Sequence, residues 1–307
     1  ATEIDYVFGQ VAIKRPIVDY SSTCGNLSSA VGPFAINSGL VAADNGETCV
    51  RVRDVNTGKM FHAFVPTAED GMFWEAGEFS IPGVSGSGSK ISLKFFDPGG
   101  ATTGKLLPTG NTIDILEVPG EGALEMSLVD ATTGVVFTEA KRFGLKGTET
   151  VAEIESDGKL MTRLEQARRV AAMHMGLAER PEDSALGNPK ICLVAPSQPF
   201  STLSGETITA SAADIAVRFL SMGQVHRVLP LTGAMCLAAA CRIEGTIPHA
   251  IVATGGGDIL LANPSGVMPI EARVVRKDGT WEVPFVTVYR TARLLMEGRV
   301  SVPNLLN

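Results

Sequence analysis

The chain has 307 residues, long enough for two domains, and 45% of them are hydrophobic, which excludes a disordered chain. A net charge of −7 with no Lys/Arg-rich stripe excludes a general nucleic-acid binder. Five cysteines (Cys24, Cys49, Cys192, Cys236, Cys241) at unpaired spacings exclude a disulfide framework, and four scattered histidines give no zinc-ligand pattern.

Taken in chain order, Tyr6-Val7-Phe8, Val11-Ala12-Ile13 and Ile17-Val18 read as strands broken by Gly9 and Pro16. A thiol follows, Cys24-Gly25-Asn26, at the start of a small-residue helical run over Leu27 to Ala35. Unpaired N–H groups and partial positive charge at a helix start stabilise anions, so a thiol there is suited to exchange protons with a carboxylate substrate. A cysteine is also a common packing residue, and the spacing alone leaves both readings open.

From Glu47 to Val136 the pattern is strand and turn, with strands at Thr48–Arg53, Ile91–Phe96 and Ile113–Leu116. Turns at Asn56-Thr57-Gly58, Asp97-Pro98-Gly99-Gly100 and Pro119-Gly120 keep the connections short, which favours antiparallel pairing. Gly83-Val84-Ser85-Gly86 is followed by no helix, and Gly104-Lys105 lacks phosphate-loop spacing, so no nucleotide site is expected. Glu149 to Ala178 is helical in period and interrupted at Asp157-Gly158. The polar turns from Arg180 to Pro189 mark a boundary, giving expected domains of 1–188 and 189–307.

Beyond it, Ile191–Ala195 reads as a buried strand, Ala212–Met222 as a helix and Val225–Leu231 as a strand. Thr232 to Cys241 is apolar almost all round, as a surface helix is not. It resembles the Cys24 helix in composition and setting. The expectation is an α/β (α+β) protein of two related halves, each a curved, mostly antiparallel sheet around one central helix. Ser197, after the strand, and Ser265-Gly266, after Ile259–Leu261, present donors that suit either a carboxylate or an ordinary turn. Thr254-Gly255-Gly256-Gly257-Asp258 reads as a turn, and His226 is placed to face the same cleft or to be structural. No nucleophile elbow or Ser-His-acid order supports a hydrolase.

Longer motifs carry a resemblance over nearly the whole chain. They are Cys24-Gly25-Asn26-Leu27 with Ala30-Val31-Gly32-Pro33-Phe34, Phe96-Asp97-Pro98 with Thr103 to Asn111, and Ser127-Leu128-Val129-Asp130. Then come Ser221-Met222-Gly223 with His226, Thr232-Gly233-Ala234, Gly245-Thr246, Asn263-Pro264-Ser265-Gly266 and Arg290 to Gly298. Together these resemble the 2-methylaconitate cis–trans isomerase family, which includes 4-oxalomesaconate tautomerase, methylitaconate isomerase and aconitate isomerase. The resemblance implies the diaminopimelate epimerase-like fold, with two pseudo-symmetric domains and an active site where both helix starts converge. A C-terminal helix crossing back to the first domain is also expected.

The implied chemistry is a cofactor-free, metal-free allylic proton shift on an unsaturated di- or tricarboxylic acid. Cys24 would be an acid/base, and Gly25, Asn26, Ser197, His226, Thr232, Gly233, Ser265 and Gly266 would contact substrate. The racemases of the wider superfamily use two cysteines, and the position matching the second is Pro230, which disfavours epimerisation. The isomerase branch pairs its cysteine with a lysine from an N-terminal segment; neither Lys14 nor Lys59 has a matching context, so the chain is expected to be N-terminally incomplete. A non-catalytic carboxylate-binding protein of the same fold is the alternative. The expected partner is a small acid, with no nucleic acid or membrane. A cytoplasmic location and a homo-oligomer complete the expectation.

Overall fold

The computed structural model describes residues 2–11, 16–20, 24–252 and 256–301. Lys14, part of the Val11–Ile13 strand and part of the Thr254–Asp258 turn lie outside them. In chain order the elements begin with β1 (Ile4–Tyr6), β2 (Gln10–Val11), β3 (Val18–Asp19), α1 (Ser28–Asn37), β4 (Gly46–Asp54), β5 (Met60–Thr67) and β6 (Ile91–Phe96). They continue with β7 (Asp114–Val118), β8 (Gly122–Asp130), β9 (Gly134–Glu139), α2 (Val151–Ser156), α3 (Gly158–His174), β10 (Lys190–Pro196), β11 (Phe200–Ser201) and β12 (Thr207–Ile208). Last come β13 (Ile215–Ser221), β14 (Gln224–Val225), α4 (Leu231–Arg242), α5 (Ile247–Ile251), β15 (Ile259–Asn263), β16 (Gly266–Lys277) and β17 (Thr280–Arg290).

Most strands join one sheet in the order β1-β4-β5-β6-β17-β16-β15-β13-β10-β9-β8-β7, with β14 on β13. The pairing is antiparallel except for β1 with β4, β9 with β10 and β13 with β15. Two helices pack against different parts of this curved sheet, as the sequence leads one to expect, but their burial is unequal. In α4, every residue from Gly233 to Cys241 is buried, because β8, β9, β16 and β17 surround it. Small side chains let those strands close in. Helix α1 packs on β5 and β6 through Ser29, Gly32, Ala35 and Ile36, whereas Phe34 remains 65% exposed. A Cβ at Gly32 would lie 2.6 Å from Val65 Cγ2, so glycine sets how closely this helix approaches the sheet.

The interrupted helix appears as α2 and α3. Thr150 and Glu153 form a capping box on α2, and Asp157 ends it while capping α3 through the Lys159 and Leu160 amides. Arg168 on α3 is buried and donates to Glu165, Ser184 Oγ and the carbonyls of Ala185 and Pro189, which ties the helix to the turn-rich segment ahead of β10.

Three expected elements differ. Ala212–Met222 is not a helix: Ile215–Ser221 is strand β13, inserted between β10 and β15 with every residue buried. Val225–Leu231 is strand only at Gln224–Val225, after which the chain turns toward α4 through Pro230. No C-terminal helix forms over residues 291–301. There the Leu294 N–H donates to Glu75 Oε1 at 2.7 Å and Arg293 Nη2 to the Ser87 carbonyl at 3.4 Å. Among the described residues no helix is long and apolar enough to cross a membrane.

Candidate active site at two converging helix starts

Residues 24–27 form a turn that feeds α1. The Cys24 carbonyl accepts the Ser28 N–H at 3.1 Å and its hydroxyl at 3.0 Å. The Asn26 carbonyl accepts the Ser29 N–H at 3.3 Å and its hydroxyl at 2.6 Å. The first amides of α1 are therefore satisfied by the turn. The amides of Gly25 and Asn26, next to the half-buried Cys24 thiol, have no acceptor among the described residues.

Helix α4 has the complementary arrangement. Pro230 stands at its N-cap and offers no side-chain acceptor. Ala234 is the first amide of α4 to reach a carbonyl, that of Pro230 at 2.8 Å, and those of Leu231, Thr232 and Gly233 have no acceptor among the described residues. Among the described residues, no acceptor reaches the free amides of these two positively polarised turns. They also touch: a Cβ at Gly25 would lie 2.6 Å from Leu231 Cδ2. Gly233 is equally constrained, since a Cβ there would lie 2.8 Å from Phe219 Cε1.

The remaining sequence-derived candidates divide. Ser265 and Gly266 form the β15–β16 turn, where buried Asn263 accepts the Ser265 N–H at 3.0 Å and donates to the Gly266 carbonyl at 2.9 Å. The Ser265 hydroxyl donates to the Arg227 carbonyl at 2.7 Å, so both of its donors are engaged within the protein. Gly266, at φ +140°, backs onto Pro82, and Gly83 faces Val228 and Ser265; this turn braces the loop leading into α4. The Ser197 hydroxyl, just beyond β10, is buried without a partner among the described residues.

His226 is half-buried, with Nε2 2.7 Å from Ser221 Oγ across the β13–β14 hairpin. Burial, and then the Lys190 charge, hold its pKa below the usual imidazole value. It lines an open groove of about 840 Å³ with Glu155, Met161, Met222, Gln224 and Arg227. Lys59 is exposed and donates to the Asp97 carbonyl at 2.9 Å.

Sequence reading missed Tyr6, which it took only as a strand residue. Its buried hydroxyl has no hydrogen-bond partner within 3.5 Å among the described residues. Burial, the Cys24 thiol and Asp54 raise its pKa, against the effect of the Ser28 hydroxyl, so the phenol lies beside the Cys24 turn. The parallel pairing of β1 with β4, which sets Tyr6 opposite Asp54, has no local sequence signal. Among the described residues, no group of three or more His, Cys, Asp or Glu side chains is arranged to hold a metal.

The start of α4 and the turn that carries the half-buried Cys24 thiol thus meet at Leu231 and Gly25. A profile of the family described as PrpF protein matches residues 1–303. The 2-methyl-aconitate isomerase of Shewanella oneidensis is 38% identical over 98% of this chain and 78% of its own length. The 3-methylitaconate isomerase of Eubacterium barkeri is 35% identical over 98% of this chain and 79% of its own. A crystal structure of methylitaconate-delta-isomerase superposes with a TM-score of 0.90 at 34% identity, covering 97% of this chain and 77% of that one.

Proposed function

The chain belongs to the PrpF protein family, and on that premise we propose that it is an isomerase of unsaturated di- or tricarboxylic acids such as 2-methylaconitate. The reaction is an allylic proton shift. A base removes a proton from the carbon next to a carboxylate-conjugated double bond, and the electron pair delocalises into that carboxylate. The proton then returns at the same or another carbon after rotation, so the product has the substrate's formula. Cys24 is the acid/base supplied by this chain. One substrate carboxylate rests on the amides of Gly25 and Asn26, and another on those of Thr232 and Gly233, donors that gain strength as negative charge develops.

The observation that carries this reading is the contact of two uncapped turns, through Gly25 and Leu231, beside a half-buried thiol. Relatives named for isomerisation of methylaconitate and methylitaconate support the substrate class. The test is to incubate the protein with cis-aconitate, trans-aconitate and 2-methylaconitate and to follow the vinyl protons by NMR. Conversion of at least one acid to a geometric or double-bond isomer is expected. Spectra of all three unchanged by the protein would contradict the proposal.

A further inference from the structure

Among the described residues, four other than glycine have a left-handed backbone: Asp97, Thr132, Met222 and Asp278. Thr132, at φ +71°, is the only β-branched one, and a branched Cβ is the kind of side chain this region tolerates least. Such strain persists where surrounding contacts over-determine it. The contacts here are specific. The Thr132 N–H donates to the Pro98 carbonyl at 2.7 Å, and its hydroxyl donates to the Thr232 carbonyl, in the first turn of α4, at 2.8 Å.

The neighbours of Thr132 hold its own turn from the other side. Ala131 bridges to Gly99, and the Asp130 carbonyl accepts the Gly100 N–H at 2.7 Å. Buried Asp130 Oδ2 accepts the amides of Thr102 and Thr103 at 2.8 and 2.6 Å and the Thr103 hydroxyl at 2.9 Å. The β8–β9 turn is thus a bracket fixed to the 98–103 loop, with one hydroxyl extended to α4. Since Pro230 provides no side-chain cap, that hydroxyl orients the helix start from outside.

We propose that Thr132 is a positioning residue: its hydroxyl, aimed by a left-handed backbone, fixes the first turn of α4 so that the amides of Leu231, Thr232 and Gly233 meet a substrate carboxylate. This inference rests on the reading of the α4 start as a carboxylate cradle. It also accounts for a threonine where glycine would be unstrained, because glycine has no hydroxyl to donate.

The experiment compares Thr132→Gly, Thr132→Ala and Thr132→Ser in the full chain. It uses the saturated, unreactive tricarballylate as probe, with calorimetric affinity, thermal midpoint and amide exchange at Cys236, whose N–H is bonded to the Thr232 carbonyl in a regular helix. Thr132→Gly and Thr132→Ala should weaken tricarballylate binding about five- to tenfold and speed exchange at Cys236, whereas Thr132→Ser should stay within about twofold of the unsubstituted chain. Thr132→Gly should do so with no fall in midpoint, because relief of strain offsets the lost hydrogen bond.

Undiminished binding in Thr132→Gly and Thr132→Ala would overturn the inference. So would an equal loss in Thr132→Ser, which would point to shape rather than to the hydroxyl. A chain that bound no tricarballylate even unsubstituted would overturn the cradle itself. That failure is distinguishable, because faster Cys236 exchange in Thr132→Ala would still register the bracket.

Discussion

At the level of single residues, the site depends on what is missing as much as on what is present. Gly25 has no side chain, and that absence lets the Cys24 turn rest on Leu231. Gly25→Ala would push against the end of a leucine side chain, which can rotate away, so stability should fall by less than about 1.5 kcal/mol. Displacing the thiol relative to the carboxylate donors should nonetheless lower kcat/KM by roughly 10- to 100-fold. Denaturant titration alongside steady-state kinetics checks both halves, and unaltered kinetics would refute the contact's role. His226 gives a pH prediction. Its folded pKa is depressed, so the unfolded chain takes up the proton first, and stability is full above the unfolded value near 6.5 and declines as pH falls below it. His62, depressed by burial and then by Arg51, acts in the same direction. Thermal midpoints measured from pH 7.5 to 5 should fall less steeply in His226→Gln than in the unsubstituted protein. Of these residues, Cys24 and Gly25 were legible as candidates because a helix-start thiol has a known electrostatic meaning. Tyr6 was not, since its relevance depends on a strand pairing 48 residues away in sequence.

At the level of elements, the sequence was readable where period and capping agreed. The Asp157-Gly158 break between α2 and α3 is such a case, with Asp157 capping the second helix as its side chain predicts. It was misleading where burial erased the period. Ile215–Ser221 contains Ala, Leu and a charged Arg218, which look helical, but a central strand buried on both faces has no polar alternation to report it. Arg218 is reconciled with that burial by donating to the Glu149 and Val217 carbonyls, and burial lowers its pKa to about 10. The C-terminal helix, expected from the resemblance alone, is absent over residues 291–301, where the Leu294 amide goes to Glu75 instead. Packing also sets the tolerance of α1. Gly32→Ala places a Cβ within 2.6 Å of Val65 Cγ2 and 3.1 Å of Ala63 Cβ, in a sheet-facing position with no open space. It should cost about 1–3 kcal/mol in denaturant unfolding. A stability unchanged by Gly32→Ala would mean that α1 does not pack as described.

At the level of the molecule, the continuous sheet and its shared core explain why the two helix starts keep their register. Residues of α1, α4 and the strands between them form a single hydrophobic cluster, so the Cys24 turn and the α4 start are held by the same packing. The β9–β10 pairing also crosses the turn-rich segment near residue 188, linking stretches on either side of it. Two similar small-residue helices were legible in the sequence, and both pack on this sheet. The single sheet was not, because strand order is a long-range property with no local code. All five cysteines are free, with Cys24 and Cys49 half-buried and Cys192, Cys236 and Cys241 fully buried. The thermal midpoint should therefore be the same with and without reductant. Proton movement by Cys24 is tested most directly by deuterium incorporation from D2O into 2-methylaconitate, measured by NMR for the unsubstituted protein and for Cys24→Ser. Cys24→Ser should lose incorporation by at least about 100-fold while tricarballylate still binds. Incorporation that persists in Cys24→Ser at the unsubstituted rate would rule out that role for the thiol.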